Sequence, residues 1–370
     1  MKSYNGLREL TLSDDTIMSG IKKAAKGKTK NNSRHRFLRY VKKHCDEYKP
    51  IVREWIINYD PKKYNRTTKV INDGISAKKR ELTIPTKEEE IILNVVMVVL
   101  KQIMKPSMYE HSYSSIPGRG VYKATKYITK WLNRDCTGTK YALQMDIQQF
   151  FKSVDLNVLR NKLQKLIKDK WFYRLLDEIL SVQEKGLPLG FPTSQWFANY
   201  SLNKLDHYIK EDLKAPYYVR FSDDMLILAS NKLFLFNSKD EIERYLNDEL
   251  HLNLKPNWKI FPVDLASPSL KGPPLDFIGY KHYRDYVFLR KKTLRKCKRK
   301  IAHVKKKQHI NIKDARQLIT YAGYLKHANC YGWYKKYYRP YVSVRYLRKK
   351  ISKYSKKGRD HECGTKQCAI

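Results

Sequence analysis

The chain has 370 residues and a formal net charge of +40, with 76 Lys and Arg against 36 Asp and Glu. That length holds two or three subdomains around a sizeable core, and the cationic excess goes far beyond what solubility needs, pointing to a polyanion partner, above all nucleic acid. No apolar run reaches transmembrane length and no signal-peptide pattern opens the chain, so no membrane partner is expected; the six scattered cysteines (Cys45, Cys136, Cys297, Cys330, Cys363, Cys368) form no disulfide framework, as in a reducing cytoplasm.

Residues 1 to 75 are basic and helix-leaning, with Arg34, Arg36, Arg39, Lys42 and Lys43 alternating with Phe37, Leu38 and Tyr40. This suits either a packed, positively charged appendage or a surface for a structured RNA or a partner. The run KKRELTIP, Lys78 to Pro85, is a short strand studded with Lys78, Lys79 and Arg80. It reads as a solvated edge or, given the forked geometry of Arg, as a phosphate contact. Thr86 then caps a helix, with Glu89 completing a capping box ahead of the apolar run Ile91 to Leu100. In HSYSSIPGRGVYKATKYI the loop Pro117-Gly118-Arg119-Gly120 opens another helix, and Arg119 beside free helix amides suits a phosphate.

Tyr141 to Asp155, YALQMDIQQFFKSVD, is a strand ending on Asp146, then a loop, then a helix on which Leu156, Leu159, Leu163, Leu166 and Ile167 fall at helical spacing. Phe151 would clash with a 2′-hydroxyl if it lay beside a nucleotide sugar, whereas Phe150 reads as core. In GLPLGFPTSQWFANYSLNKLD a Gly/Pro loop leads into a helix. There Gly190 permits close backbone approach, while Ser194 and Gln195 open the helix with polar groups.

The stretch YYVRFSDDMLILA, Tyr217 to Ala229, is the centre of the chain: two apolar arms flank Ser222-Asp223-Asp224, a β-hairpin with two carboxylates at its tip. With Asp146 at another strand end, three carboxylates could hold two divalent ions about 3.5 to 4 Å apart, one activating a 3′-hydroxyl and one steadying pyrophosphate. Magnesium suits such oxygen ligands, with manganese as an alternative. Ser238 and Glu241 form a further capping box opening a helix through Leu250. Lys259 follows as a proton donor or phosphate contact, and LDFIGY, Leu275 to Tyr280, is one arm of a hairpin. Between Arg290 and Lys357 there are 24 Lys or Arg and a single acid, Asp314, interleaved with Tyr321, Tyr324, Tyr331, Trp333, Tyr334, Tyr337, Tyr338, Tyr341 and Tyr346. Some of these rings must be core, and exposed ones with Lys and Arg would grip nucleic acid. His361, Cys363 and Cys368 lack a fourth ligand for a metal site.

In this order the blocks resemble a reverse transcriptase from about Ser76 through Tyr280. The resemblance implies an α+β right-hand polymerase fold: a basic N-terminal extension over 1–75, fingers over 76–140, an antiparallel-sheet palm with finger insertions over 141–286, a helical basic thumb over 287–357 and a tail over 358–370. It implies Asp146, Asp223 and Asp224 as catalytic metal ligands with the Ile147 carbonyl assisting, and Phe151 as the sugar gate. Lys78, Arg80 and Lys259 would meet the triphosphate, with Arg119 as a further substrate contact. Leu189, Gly190, Ser194 and Gln195 would line the floor under the templating base pair, with Phe277, Gly279 and Tyr280 as primer grip. Within the family, Leu189-Gly190 and Ser194-Gln195 give an LGxxxSQ form where most relatives show QGxxxSP. With SSIPGRG and YAGYLKHANCYGWY, that form resembles the enzymes of diversity-generating retroelements. Such an enzyme copies a template-repeat RNA from a cDNA or DNA primer and dNTPs, misincorporating opposite adenines, beside a small basic barrel-shaped accessory variability protein. It would be bacterial or phage-encoded and work in the cytoplasm, with no endonuclease, ribonuclease H or maturase block expected. The alternatives are a retron, defence-associated or group II intron-type reverse transcriptase, an RNA-dependent RNA polymerase, against which Phe151 argues, and a non-catalytic RNA-binding scaffold.

Overall fold

The computed structural model describes residues 3–28, 32–72, 79–263, 272–307 and 309–360. Lys78 and the His361, Cys363 and Cys368 tail lie outside them. Two compact units result: Met1–Lys28, Asn32–Gly120 and Tyr141–Ile260 form one, while Val121–Lys140 and Phe261–Ile370 make up most of the other.

In the first unit the helix Lys87–Met104 carries Glu88, Glu89 and Glu90 in its first turn, where the helix dipole favours anions, followed by an apolar stretch buried on nearly every side. The helices Leu7–Leu12, Asp14–Ala24, Ser33–Lys43 and Cys45–Ile57 pack in the same unit. Gly20 lies so close to Val95 that a Cβ there would stand 2.3 Å from the Val95 side chain, which fixes this crossing. Part of the N-terminal basic charge is consumed in this packing, because Arg34 Nε donates to Glu90 Oε2 at 2.8 Å and Lys28 pairs with the same carboxylate. Thr86 Oγ1 accepts the Glu89 N–H at 3.2 Å, as expected of a cap. The Glu89 carboxylate does not return to close a capping box, since it takes Tyr59 Oη at 2.8 Å and Arg66 Nε at 3.0 Å.

The strands β1 (Thr67–Asn72) and β2 (Lys79–Ile84) form an antiparallel hairpin. A second sheet orders β3 (Tyr141–Asp146), β4 (Tyr217–Phe221), β5 (Asp224–Ala229) and β6 (Lys259–Pro262) as β4-β5-β3-β6. Behind β3 and β5 runs the helix Lys232–Leu250. It begins well before the expected Ser238 cap: Asn231 Oδ1 accepts the Leu233 N–H at 2.8 Å, Ser238 is buried inside the helix, and Glu241 accepts from Tyr208 Oη at 3.1 Å. The expected single helix after Ser194 is two, Ser194–Ser201 and Asn203–Glu211.

The second unit holds the meander β7 (Leu275–Phe277), β8 (Tyr280–His282) and β9 (Val287–Leu289). LDFIGY is therefore one arm and the turn of a hairpin, with Phe277 opposite Tyr280 and both Ile278 and Gly279 at positive φ (44° and 93°), the signature of a tight two-residue turn. The buried Arg284 guanidinium ties the meander to neighbouring chain, donating to the carbonyls of Leu132 at 2.9 Å and Val263 at 3.2 Å. The basic helices Lys291–Lys305, Ile312–Lys326 and Val344–Asp360 share one core, in which Tyr321 and Tyr338 are buried, while Tyr331, Tyr341 and Tyr346 are exposed. Among the described residues no helix is long and apolar enough to cross a membrane.

Candidate active site

Antiparallel pairing sets Asp146, the last residue of β3, directly opposite Asp224, the first of β5. Phe221 also pairs with Asp224, so Ser222 and Asp223 alone make the turn, and Ser222 takes φ +62°, a backbone state uncommon for a side-chain-bearing residue. The three carboxylates expected from sequence thus meet at adjoining strand ends. Asp223 and Asp224 face a cavity of about 570 Å³ lined also by Lys79, Arg80, Phe151, Leu189, Gln195, Phe221 and Lys255 among others, whereas Asp146 is not among its lining residues and adjoins it through Asp224 and Lys255.

Lys255 was not singled out in the sequence, yet its ammonium pairs with Asp146 Oδ2. Its position follows from the backbone: the Lys255 N–H donates to the Asp146 carbonyl at 2.8 Å and the Gln148 N–H to the Asn253 carbonyl at 2.9 Å, an antiparallel bridge across Ile147 and Leu254. These two bonds flank the Ile147 carbonyl without using it. Lys259 sits four residues on, exposed at the start of β6 and not among the residues lining the cavity.

Burial, and then the negative charge of Asp146, push the Asp223 carboxyl above its ordinary value, with Lys255 opposing. Asp146 Oδ1 is buried without a hydrogen-bond partner. A buried carboxylate oxygen without a donor, beside a second carboxylate that crowding drives towards its neutral form, is what a hard divalent cation would relieve. The residues fit such an ion in donor chemistry, although among the described residues no three acidic, His or Cys side chains already converge as a closed ligand cluster.

Beneath the hairpin lies a buried polar network. Arg220 and Asp206 both have fully buried side chains and form a forked pair, Nε to Oδ1 at 2.7 Å and Nη2 to Oδ2 at 2.6 Å. Tyr218 Oη donates to the same carboxylate at 2.7 Å. Arg220 Nη1 donates to Asn199 Oδ1 at 3.2 Å and to the Ser222 carbonyl at 3.0 Å, so this network grips the carboxylate-bearing turn from behind.

Phe151 is half-buried on the cavity wall, against the buried Phe150, with ring centroids 5.6 Å apart. Its backbone is held by the Leu187 N–H, which donates to the Phe151 carbonyl at 2.7 Å. The expected roles around Gly190 divide. Leu189 and Gln195 face the cavity, Gln195 accepting from Ser115 Oγ at 3.1 Å. Gly190 itself, at φ +117°, answers to another part of the fold, since a Cβ there would stand 2.3 Å from the Thr83 carbonyl oxygen of β2. Ser194 is buried and ties the loop by donating to the Pro188 carbonyl at 2.7 Å. Arg119 turns to the backbone, donating to the carbonyls of Tyr109 and, at 3.0 Å, Ser112, and is not among the residues lining the cavity. Phe277, Gly279 and Tyr280 lie in the second unit, where both rings are buried and Gly279 sits in the turn.

Residues 61–261 match the reverse transcriptase (RNA-dependent DNA polymerase) family, and the chain belongs to that family. It is 24% identical over 228 residues to the retron Ec73 reverse transcriptase of Escherichia coli, spanning 57% of this chain and 71% of that protein. It is 27% identical over 144 residues to the group II intron-encoded protein LtrA of Lactococcus lactis subsp. cremoris, 36% of this chain and 23% of that one. Among solved structures, the telomerase of Candida tropicalis in complex with a fragment of telomeric RNA overlays with a TM-score of 0.50 at 12% identity, over 86% of this chain and 58% of that one. The shared fold is the α+β right-hand polymerase fold. The chain spans less than two thirds of the intron protein and of the telomerase.

Proposed function

We propose that the chain is an RNA-directed DNA polymerase that copies a template-repeat RNA into adenine-mutagenised cDNA for targeted gene diversification. The observation that carries the polymerase reading is the pairing of Asp146 with Asp224 at one end of the sheet, with Asp223 on the turn, over a cavity walled by Phe151. Asp146, Asp223 and Asp224, with the Ile147 carbonyl, would hold magnesium, which when bound activates a primer 3′-hydroxyl and steadies the leaving pyrophosphate. The protein's own groups supply positioning and electrostatics. Lys79 and Arg80, exposed on β2, offer cations to a triphosphate. Lys255 balances the Asp146 charge, and the Phe151 ring leaves no room for a 2′-hydroxyl. In this reading the β1–β2 hairpin belongs to the fingers, the β3–β5 sheet to the palm and the basic helices to the thumb.

The finer reading rests on Leu189 and Gln195, which stand where most relatives carry Gln and Pro and which both line the cavity beneath an incoming base pair. Template-repeat RNA, a cDNA or DNA primer and a basic accessory variability protein are the partners it requires. The test is extension of a primed RNA of defined sequence with dNTPs, with and without that accessory protein, followed by sequencing of the cDNA opposite each template base. Errors concentrated opposite adenines are expected. Faithful copying at every base would leave a retron or intron-type enzyme, and extension by an Asp223→Ala, Asp224→Ala double variant would overturn the polymerase site itself.

A further inference from the structure

The second unit holds a cavity that nucleotide transfer does not use. It measures about 510 Å³ and is lined by Ala322 and Gly323 on the helix Ile312–Lys326, by Tyr331 and Tyr334, and by the exposed Lys326 and Arg348, among others. Tyr331 is 63% exposed, unusual for so large a ring. The Tyr331 and Tyr334 rings lie within 18° of parallel, but their centroids are 6.5 Å apart. Other near-parallel tyrosine pairs in this unit close up, Tyr334–Tyr338 to 5.3 Å and Tyr283–Tyr286 to 4.4 Å. A centroid separation of 6.5 Å lies at the long end of offset-stacked pairs, so Tyr334 covers little of the Tyr331 face, in keeping with the exposure of that ring. Tyr334 opens a π-helical turn, Tyr334–Tyr338, a rare form that often marks functional positions. Lys335 Nζ adds a cation 4.8 Å from the Tyr331 ring centroid.

We propose that this cavity captures one unpaired nucleobase of single-stranded RNA, stacked on the exposed Tyr331 ring, with its phosphate on Arg348 and Lys326. Charge selects the occupant: the mouth is cationic, in a segment where 24 Lys and Arg stand against one acid, and the exposed Tyr331 ring offers a flat face. An apolar side chain of a partner protein would use the floor and leave both cations unanswered. Every base offers a π-face, so the site would accept all four, and a duplex, whose bases are already stacked, would not enter.

The experiment uses the full chain in EDTA, so that no divalent ion can assist nucleotide binding at the three aspartates. Binding of AMP is measured by equilibrium dialysis, and quenching of 2-aminopurine is followed in a short single-stranded RNA and in the matching duplex. AMP should bind saturably, Tyr331→Ala should weaken it by about 5- to 150-fold, Tyr331→Phe should leave it intact, and 2-aminopurine should be quenched in the single strand alone. Should Tyr331→Ala disturb folding, Arg348→Ala at the exposed mouth should weaken AMP more than adenosine. Unchanged AMP affinity in Tyr331→Ala would overturn the proposal, as would displacement of AMP by equimolar inorganic phosphate or saturation of the site by an apolar peptide in place of AMP. The Asp223→Ala, Asp224→Ala variant separates the two sites: it should lose primer extension and keep AMP, and if AMP binding goes with it the nucleotide belongs to the aspartate site.

Discussion

Replacing Asp206 tests whether the buried network beneath the hairpin sets the geometry of the carboxylates or merely fills the core. Asp206→Asn keeps the shape and removes the charge facing Arg220, leaving a fully buried guanidinium without its counterion. Breaking a buried pair from one side costs about 3–5 kcal/mol, a large share of the roughly 5–15 kcal/mol that holds a domain folded. Denaturant unfolding should show that loss. A triple variant, Asp206→Leu, Arg220→Met and Tyr218→Phe, removes both charges and the hydroxyl that donates to the carboxylate, and apolar replacement of a buried pair is often neutral. Stability should therefore return. The Ser222 carbonyl, however, loses the Arg220 Nη1 bond at 3.0 Å that anchors a turn held at φ +62°. That carbonyl is only half-buried and can turn to water, so stability is kept while the turn is freed; a misplacement of Asp223 worth about 1–3 kcal/mol in the transition state lowers primer extension by about 5- to 150-fold at tenfold per 1.36 kcal/mol. A triple variant that is stable and extends primers at the wild-type kcat would refute the positioning argument.

Phe151→Val shortens the ring on the cavity wall and should admit ribonucleotides, raising the ratio of NTP to dNTP incorporation by tenfold or more, about 1.4 kcal/mol of steric discrimination and above. An unchanged ratio would place the sugar elsewhere. Lys255→Gln removes the cation that opposes the upward push on Asp223. The acid limb of the pH–rate profile for primer extension should therefore move to higher pH, and a limb that stays in place or moves down would show that Asp223 does not control it. In the second unit, burial pushes the His282 imidazole down to about 4 from an ordinary 6.5. The unfolded chain then binds the extra proton first, so stability is complete above pH 6.5 and is lost as pH falls towards 4, up to about 3 kcal/mol in all. His282→Phe should flatten that acid loss in thermal unfolding, and an equally steep loss in the variant would assign it to other groups.

The meeting of the carboxylate-bearing strand ends was legible because each block is local. Two apolar runs around the polar tip Ser222-Asp223-Asp224 dictate the hairpin, a short apolar run ending on Asp146 dictates β3, and antiparallel pairing then leaves few ways to avoid setting Asp146 against Asp224. What escaped the sequence is what depends on partners far along the chain. Lys255 lies in the same short run as Lys259, and the signal that favoured it was the alternation of buried Leu252 and Leu254, which makes Asn253 to Lys255 a bridging strand against Asp146 to Gln148. Arg220 stood inside an otherwise apolar strand, and a charge in that place announces a buried counterion; only the fold shows that it is Asp206 on a helix. Gly190 was read as room for a nucleotide, whereas the atom it makes room for is the Thr83 carbonyl, and Arg119 was read as a phosphate ligand when its donors already serve Tyr109 and Ser112. Arg34, in the segment that sequence left open between a packed appendage and an RNA surface, is held by Glu90, as is Lys28. In a chain this basic, then, a cation's type says little about its duty: the informative ones are those whose fixed geometry leaves them facing a cavity, as Lys79, Arg80 and Lys255 do.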